Sequence, residues 1–202
     1  MEKNLDLKLI QAAEATFPTE YGLFRVLGFT AGDDEAAVLV MGDLVSGAAP
    51  LLRIHSQCLT GDVFHSLRCD CRAQLEIALE EVSREGRGLI IYELKEGRGI
   101  GLMNKLRAYE LQDQGADTVE ANQRLGFESD LRDYSLPGAI LRHLGITSVR
   151  LLSNNPEKVS ALESAGITVA ERVPCIANAH ESRRGYLETK RDKMGHLFDK
   201  AL

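Results

Sequence analysis

The sequence lacks the features that mark several classes of protein. It has no run of about 18 apolar residues, so no segment is expected to span a membrane. Residues 1–11 carry acidic side chains and no long apolar stretch, which is not the pattern of a signal peptide. The 202 residues contain no internal repeat, low-complexity tract or long linker. These absences predict a cytoplasmic protein that folds as one domain over residues 1–202.

The sequence also has fewer basic than acidic residues. The 24 lysine and arginine residues are outnumbered by 30 acidic ones, which leaves a net charge of −6. An acidic chain is a poor general binder of nucleic acid, because that affinity depends on neutralising phosphates. We therefore expect no nucleic-acid partner, whereas a small anionic ligand needs only a few well-placed arginines. The P-loop motif is missing too, which excludes that route to binding a triphosphate.

Strand and helix patterns alternate along most of the chain. Strands are predicted at residues 37–41, 51–54, 89–94, 148–152 and 167–173. Helices are predicted at residues 71–86, 102–114, 119–125, 137–144, 156–165 and 185–200. This alternation predicts an α/β fold in which helices flank a mixed, largely buried sheet within a single compact domain.

Three of the four cysteines fall within fourteen positions, and they are Cys58, Cys69 and Cys71. Thiolates are strong zinc ligands, and a catalytic zinc ion typically has three protein ligands and an open fourth position for water. The spacing therefore predicts a metal site. A fourth ligand, from His55 or His65, would instead close the site and make it structural. The remaining Cys175 follows a proline and is expected to be an inert thiol in apolar surroundings.

Two segments carry features suited to a phosphate. The glycine-rich turn Glu96–Gly101 lies between a predicted strand and helix, where backbone N–H groups can approach an anion and Arg98 adds a bidentate donor. The alternative is a tight turn with a solvated arginine. Lys158 lies in the first turn of a predicted helix, where it opposes the helix dipole unless an anion binds there. An ordinary surface lysine is the alternative.

Three further polar residues are candidates for a site. Asp130 and Arg132 are two positions apart, so in an extended segment both side chains leave on the same face. An exposed ion pair on a loop is the alternative. Tyr109 follows Lys105 by four residues on one helix face, where it either packs in the core or reaches into a site.

Together these segments resemble GTP cyclohydrolase II, the first enzyme of riboflavin synthesis in bacteria and plants. The matching stretches are RIHSQCLTGDVFHSLRCDC, EGRGIGLMNKLRAYELQDQGADTVEANQRLGF, DLRDY and SNNPEKV. The likeness runs from about residue 16 to residue 197, nearly the whole chain. It is specific, because several rare motifs occur in the same order and at the same spacing.

The resemblance implies a reaction and its cofactors. GTP would be hydrolysed with opening of the imidazole ring and release of formate and pyrophosphate, giving a diaminopyrimidinone ribosylamine phosphate. One zinc ion per subunit would be held by the three clustered cysteines, a magnesium ion would assist at the phosphates, and the protein would be a homodimer. Two other activities stay open: a related purine-nucleotide enzyme that retains the formyl group, and a non-catalytic, zinc-stabilised nucleotide-binding protein.

The resemblance also implies roles for individual residues. The implied contacts to GTP are Arg53, Ile54, His55, Ser56, Gln57, Gln74, Glu96, Gly97, Arg98, Thr118, Ser153 and Lys158. Asp130 would be a proton acceptor, Arg132 a nucleophile, and Tyr109 would act in the later hydrolytic step. A protonated arginine has no free lone pair, so stabilising charge on the phosphates is the easier role for Arg132.

The chain departs from the usual family pattern at a few positions. Gln57 stands where glutamate is common, which keeps the shape but removes a charge and a possible proton acceptor. Leu94 and Lys95 replace a common Arg-Gln pair, and Ser153 replaces threonine while keeping the hydroxyl. These changes bear on nucleotide affinity and base selectivity more than on the class of reaction.

Overall fold

The computed structural model describes residues 8–128 and 132–177, together with Arg191, Gly195 and Leu197. Its strands are β1 Ile10–Thr19, β2 Gly22–Ala31, β3 Asp34–Met41, β4 Leu51–Ser56, β5 Gly88–Glu93, β6 Ser148–Leu152 and β7 Thr168–Val173. Its α-helices are α1 Leu59–Asp62, α2 Cys71–Glu85, α3 Gly101–Asp113, α4 Thr118–Arg124, α5 Ser135–His143 and α6 Pro156–Ser164. None of the helices within these ranges is both long enough and apolar enough to cross a bilayer.

All seven strands belong to one sheet, in the order β1-β2-β3-β5-β4-β6-β7. β1 pairs with β2, β2 with β3 and β3 with β5, and all three pairs are antiparallel. β4 runs parallel to both β5 and β6, and β6 runs parallel to β7. The predicted mixed sheet is therefore confirmed. Burial is nearly continuous along β4 and β5 at its centre, as expected for strands covered on both faces.

Helices cover both faces of the central strands. Ile54 of β4 packs on one face within a core that includes Ile140 of α5. Ile90 of β5 packs on the other face, with Val82 of α2. This division follows from the alternation of side chains along a strand, which sends successive residues to opposite faces. The predicted α/β fold with flanking helices is confirmed.

The hairpin formed by β1 and β2 was not predicted from the sequence. Every residue of β1 except the last is exposed, so β1 has no buried face that its sequence could reveal. β2 does alternate, with Leu27, Phe29 and Ala31 buried, and its pattern was missed. The five strands that were predicted are all present, within a few residues of their expected ends. The helix predicted at residues 185–200 lies outside the described ranges, apart from single residues.

The connections around β4 create a crevice at one edge of the sheet. The link from β4 to β5 passes over one face through α2, and the link from β5 to β6 passes over the opposite face through α5. In open α/β sheets, ligands bind where neighbouring connections diverge in this way, at the carboxyl ends of the strands. The side chains that follow β4, β5 and β6 therefore surround the natural position for a site.

Candidate functional site

A cavity of about 140 Å³ opens at the carboxyl ends of the central strands. It is lined by all of the predicted nucleotide contacts except Ile54, and by the three clustered cysteines, Tyr109 and Arg132. The side chain of Ile54 is fully buried in the core, and only its carbonyl faces the site, where it accepts a hydrogen bond from Lys158. Asp130 lies outside the described residues.

The sulfur atoms of Cys58, Cys69 and Cys71 converge at one end of this cavity, within 4.8 Å of one another. The Sγ atoms of Cys58 and Cys69 are 3.7 Å apart. Two sulfurs on a tetrahedral zinc ion, each at about 2.3 Å from the metal, would be about 3.8 Å apart. The donor set and its spacing therefore fit a zinc ion.

Gly61 lies against the sulfur cluster, within the single turn of α1. A Cβ atom at this position would lie 2.8 Å from the sulfur of Cys69 and 3.1 Å from that of Cys58. Such contacts are shorter than van der Waals separation, so any larger residue would displace the sulfurs. The glycine is thus required by the close approach of the α1 backbone to the three thiols.

The three thiols differ in the direction in which their pKa values are shifted. Hydrogen bonds with Cys69 and Cys71 hold the pKa of Cys58 far below its usual value. The hydrogen bond with Cys58 raises the pKa of Cys69 to about 11, and the same contact, with burial, raises the pKa of Cys71. The cluster is therefore disposed to hold negative charge at Cys58, as a cation site requires.

The two candidate fourth ligands lie elsewhere. His55 places its Nε2 atom 3.2 Å from both carboxylate oxygens of Asp62, and His65 places its Nε2 atom 2.8 Å from Arg72 Nη1. Within the described ranges, the metal-ligating group contains the three cysteines alone. This arrangement supports a catalytic site with an open fourth position over a structural site with four protein ligands.

Lys105 bridges the cysteine cluster and the glycine-rich turn. Its Nζ atom donates to Cys58 Sγ at 3.1 Å and to Glu96 Oε1 at 2.7 Å. Burial alone would lower the pKa of Lys105, but the hydrogen bond with Glu96 and the charge of Cys58 raise it overall. The lysine was not singled out from the sequence as a site residue, because its two partners lie in distant segments.

The same region orients Tyr109. Its hydroxyl group is 3.1 Å from Thr60 Oγ1, and the Arg68 guanidinium carbon lies 4.8 Å from the centre of its ring. Burial raises the pKa of the phenol. The side chain lines the cavity rather than the core, which decides between the two positions expected for it.

The glycine-rich turn has a strained backbone. Glu96 accepts the N–H of Leu59 at 2.6 Å and the N–H of Gly97 at 2.8 Å, so its carboxylate fixes the turn to the loop that follows Cys58. Gly97 has φ of 63° and Arg98 has φ of 58°. A left-handed conformation is uncommon for a residue other than glycine, and such residues are enriched at functional sites.

The remaining wall of the cavity is cationic. Arg53 is buried in the middle of β4 and donates to the carbonyl of Leu152 at 3.0 Å and to Gln74 Oε1 at 2.6 Å. Lys158 is only 5 % exposed, so it is not the surface lysine considered above. Among the described residues, six basic side chains line the cavity, together with the acidic Glu96: Arg53, Arg68, Arg98, Lys105, Arg132 and Lys158.

Two of these cations flank an aromatic ring. The guanidinium carbon of Arg132 lies 5.5 Å from the centre of the Tyr134 ring, and the Nζ atom of Lys158 lies 5.4 Å from it. Arg132 also approaches Ser56 Oγ, at 3.4 Å. Tyr134 is buried at the start of α5 and was not identified from the sequence, because nothing in its local pattern separates it from a core tyrosine.

Other lining residues also went unidentified as site residues. Asn154 and Asn155 were predicted only as a turn, yet both line the cavity beside Ser153, which has the expected position. Asn155 also caps α6 by accepting the N–H of Glu157. Cys175 is fully buried in an apolar cluster, which confirms its predicted surroundings.

Comparison with known proteins agrees with this geometry. The family model of GTP cyclohydrolase II matches residues 10–174. A GTP cyclohydrolase-2 of Proteus mirabilis is 56% identical over 96% of this chain and 100% of its own length. One from Actinobacillus succinogenes is 54% identical over 95% of this chain and 89% of its own length.

A longer relative shares the same region. The riboflavin biosynthesis protein RibBA of Bacillus cereus is 52% identical over 93% of this chain, which corresponds to 48% of that protein. The family model and the two relatives that match over most of their own length indicate the same family. The motifs that carry the resemblance also supply residues of the cavity. This chain belongs to the GTP cyclohydrolase II family of enzymes.

Proposed function

We propose that this enzyme hydrolyses GTP, opening the imidazole ring and releasing formate and pyrophosphate, as the first step of riboflavin biosynthesis. The product would be a diaminopyrimidinone ribosylamine phosphate. The observation that carries the proposal is that one cavity combines three convergent thiols with, among the described lining residues, six basic side chains and one acidic one. In a chain with a net charge of −6, so local an excess of positive charge indicates a strongly anionic ligand.

The thiol end of the cavity would receive the purine ring. Cys58, Cys69 and Cys71 would hold one zinc ion per subunit, which when bound supplies activation of water for attack on a ring carbon at neutral pH. Tyr109 projects beside the thiols, where its hydroxyl, oriented by Thr60, would hold or move a proton in the hydrolytic step.

The cationic end would receive the phosphates. Lys158 is buried in the first turn of α6, where the helix dipole disfavours a cation and a bound phosphate would compensate. Arg132 would stabilise the charge that develops as pyrophosphate leaves, and Asp130 would accept a proton. The inferred magnesium ion would bind the same phosphates. The homodimer, the cytoplasmic location and the remaining nucleotide contacts are proposed from family membership.

The direct test is incubation of the metal-loaded enzyme with GTP and Mg²⁺ while the ultraviolet spectrum, formate and pyrophosphate are measured. We expect a spectral shift with release of both products. Ring opening without formate would favour the related activity that retains the formyl group. An unchanged spectrum would favour the non-catalytic, zinc-stabilised protein.

The metal requirement has its own test. Removal of the metal with a chelator should abolish turnover, and zinc alone should restore it. Cys58→Ser or Cys69→Ser should abolish both ring opening and formate release, because each removes one of the three ligands. Full turnover of either variant after chelation would contradict zinc catalysis.

A further inference from the structure

The carboxylate of Asp62 joins the cysteine loop to the wall of the cavity. Its Oδ2 atom accepts the backbone N–H of Cys58 at 3.0 Å and the hydroxyl of Tyr92 at 2.7 Å. Both carboxylate oxygens lie 3.2 Å from His55 Nε2. All of these groups are at least half-buried, so water does not compete strongly for the contacts. Asp62 thus accepts hydrogen bonds from donors on β4, β5 and the start of α1.

These contacts determine where the proton of His55 resides. The carboxylate of Asp62 already acts as an acceptor toward Cys58 N–H and Tyr92 O–H, so in its contact with His55 the imidazole is the donor at Nε2. Burial lowers the pKa of His55, against the opposing contact with Asp62, and therefore favours the neutral ring. A neutral ring with its proton on Nε2 has a lone pair on Nδ1. His55 also stacks on Tyr92, with 5.3 Å between ring centres, which fixes the plane of the imidazole.

The Nδ1 atom of His55 is buried, and the described part of the chain offers it no hydrogen-bond partner. The residue is 2 % exposed and lines the nucleotide cavity beside Arg53 and Gln57. A buried acceptor without a partner is unfavourable by about 1–3 kcal/mol, so a ligand that supplies a donor would be stabilised there. A nucleotide has such donors in the N–H groups of its base and the O–H groups of its ribose.

We propose that Asp62 is a positioning residue that holds His55 in the tautomer protonated on Nε2, leaving Nδ1 to accept a hydrogen bond from an N–H or O–H group of the nucleotide. The identity of the nucleotide rests on the function proposed above, whereas the tautomer does not depend on it.

The tautomer is read directly by nitrogen NMR of the zinc-loaded enzyme labelled with ¹⁵N-histidine. The chain has five histidines, and the resonances of His55 are assigned by through-bond experiments. At about pH 8, above the ordinary pKa of histidine, we expect the pattern of a ring protonated on Nε2. Addition of GTP should then shift the Nδ1 resonance of His55. A ring protonated on Nδ1 in the wild-type protein would overturn the proposal.

The variant Asp62→Asn tests the cause. Its amide oxygen can still accept the N–H of Cys58, while its NH₂ group faces Nε2 and should drive the proton of His55 to Nδ1. We expect the other tautomer, an increase of about tenfold in the KM for GTP, corresponding to one lost hydrogen bond, and unchanged zinc content. Asp43→Asn is the matched control, because Asp43 is exposed and only stabilises a turn through Val45 and Ser46.

The outcomes separate the possible roles of Asp62. An unchanged tautomer in Asp62→Asn, with KM, kcat and zinc content all altered, would indicate a purely structural residue and contradict the proposal. Tyr92→Phe should retain the Nε2 tautomer, since it leaves the contact between Asp62 and His55 in place. If Asp62→Asn does not fold, the wild-type spectrum alone decides. A wild-type enzyme with the expected tautomer but no action on GTP would refute the proposed function and leave the tautomer intact.

Discussion

The ammonium group of Lys105 lies 3.1 Å from the sulfur of Cys58, the first of the three clustered cysteines. The same Nζ atom is 2.7 Å from the carboxylate of Glu96, which is itself bonded to the loop after Cys58. One partly buried cation therefore separates two anionic groups and connects the thiol cluster to the glycine-rich turn.

Lys105→Met should weaken both the site and the fold. Removing the ammonium leaves the Glu96 carboxylate buried without its cation, which costs about 1–3 kcal/mol. We expect the free energy of unfolding, measured with urea, to fall by that amount, and formate release to slow at least about tenfold. Lys105→Arg should recover part of the activity. Arg107→Met is the matched control on α3, because Arg107 is exposed and, within the described residues, bonds only Asn104; equal losses in both variants would count against the bridge.

Gly61→Ala should impair metal binding without removing any ligand. The added methyl group would lie 2.8 Å from the sulfur of Cys69, so the thiols must move apart from the spacing that suits zinc. We expect a zinc stoichiometry well below that of the wild type, measured by metal analysis after dialysis. Gly28→Ala is the control, since its methyl group would meet other atoms only at 4.0 Å. Full zinc content and turnover in Gly61→Ala would refute the required close approach.

Arg132→Ala should separate the two product releases. The guanidinium is expected to stabilise charge on the phosphates, so its removal should slow pyrophosphate release about a hundredfold or more. Zinc content should stay unchanged, because Arg132 contacts Ser56 and Tyr134 rather than the thiols. Arg132→Lys keeps the charge and should retain more activity than alanine does. Wild-type pyrophosphate release in Arg132→Ala would move the phosphate chemistry to other residues.

Lys158→Met should act mainly on nucleotide binding. The methionine keeps most of the buried volume but removes the cation in the first turn of α6. We expect the KM for GTP to rise about tenfold or more, with a smaller change for a nucleoside that has no phosphates. The measurement is a comparison of GTP with guanosine in a binding assay. An equal loss for both ligands would show that Lys158 supports the fold, through the Ile54 carbonyl, rather than the phosphates.

The sequence predicted the parts of the site that are encoded locally. Cys71 begins α2 and Cys69 precedes it by two residues, so their spacing was sufficient to predict a metal site. Lys158 was a candidate from its place in the first turn of α6, with a surface lysine as the alternative, and its role as a nucleotide contact came from the family resemblance. Lys105 and Asp62 were missed because their roles depend on contacts between residues that are distant in the chain or on different elements. Ile54 was placed in the site by its neighbours in the motif, whereas strand alternation turns its side chain into the core.

The same distinction holds for the fold. β5 was predicted because burial on both faces makes its sequence nearly continuously apolar. β4 was predicted only over residues 51–54, because the polar Arg53, His55 and Ser56 of the site interrupt its apolar residues. β1 was not predicted, since an exposed edge strand is stabilised by backbone pairing with its neighbour and has no periodic apolar pattern in its side chains. β2 was missed although Leu27, Phe29 and Ala31 alternate on its buried face, the pattern of a half-buried strand.

The cavity wall is assembled from segments that are widely spaced along the chain, as the hydrogen bond from Arg53 to the carbonyl of Leu152 illustrates. Neither segment can form its part of the wall before the parallel strands have docked, and such non-local pairing is slow in folding. A half-synthesised chain accordingly lacks this cavity. Nucleotide should therefore protect the whole protein at once against heat or proteolysis, by mass action on the native state, rather than shielding one loop.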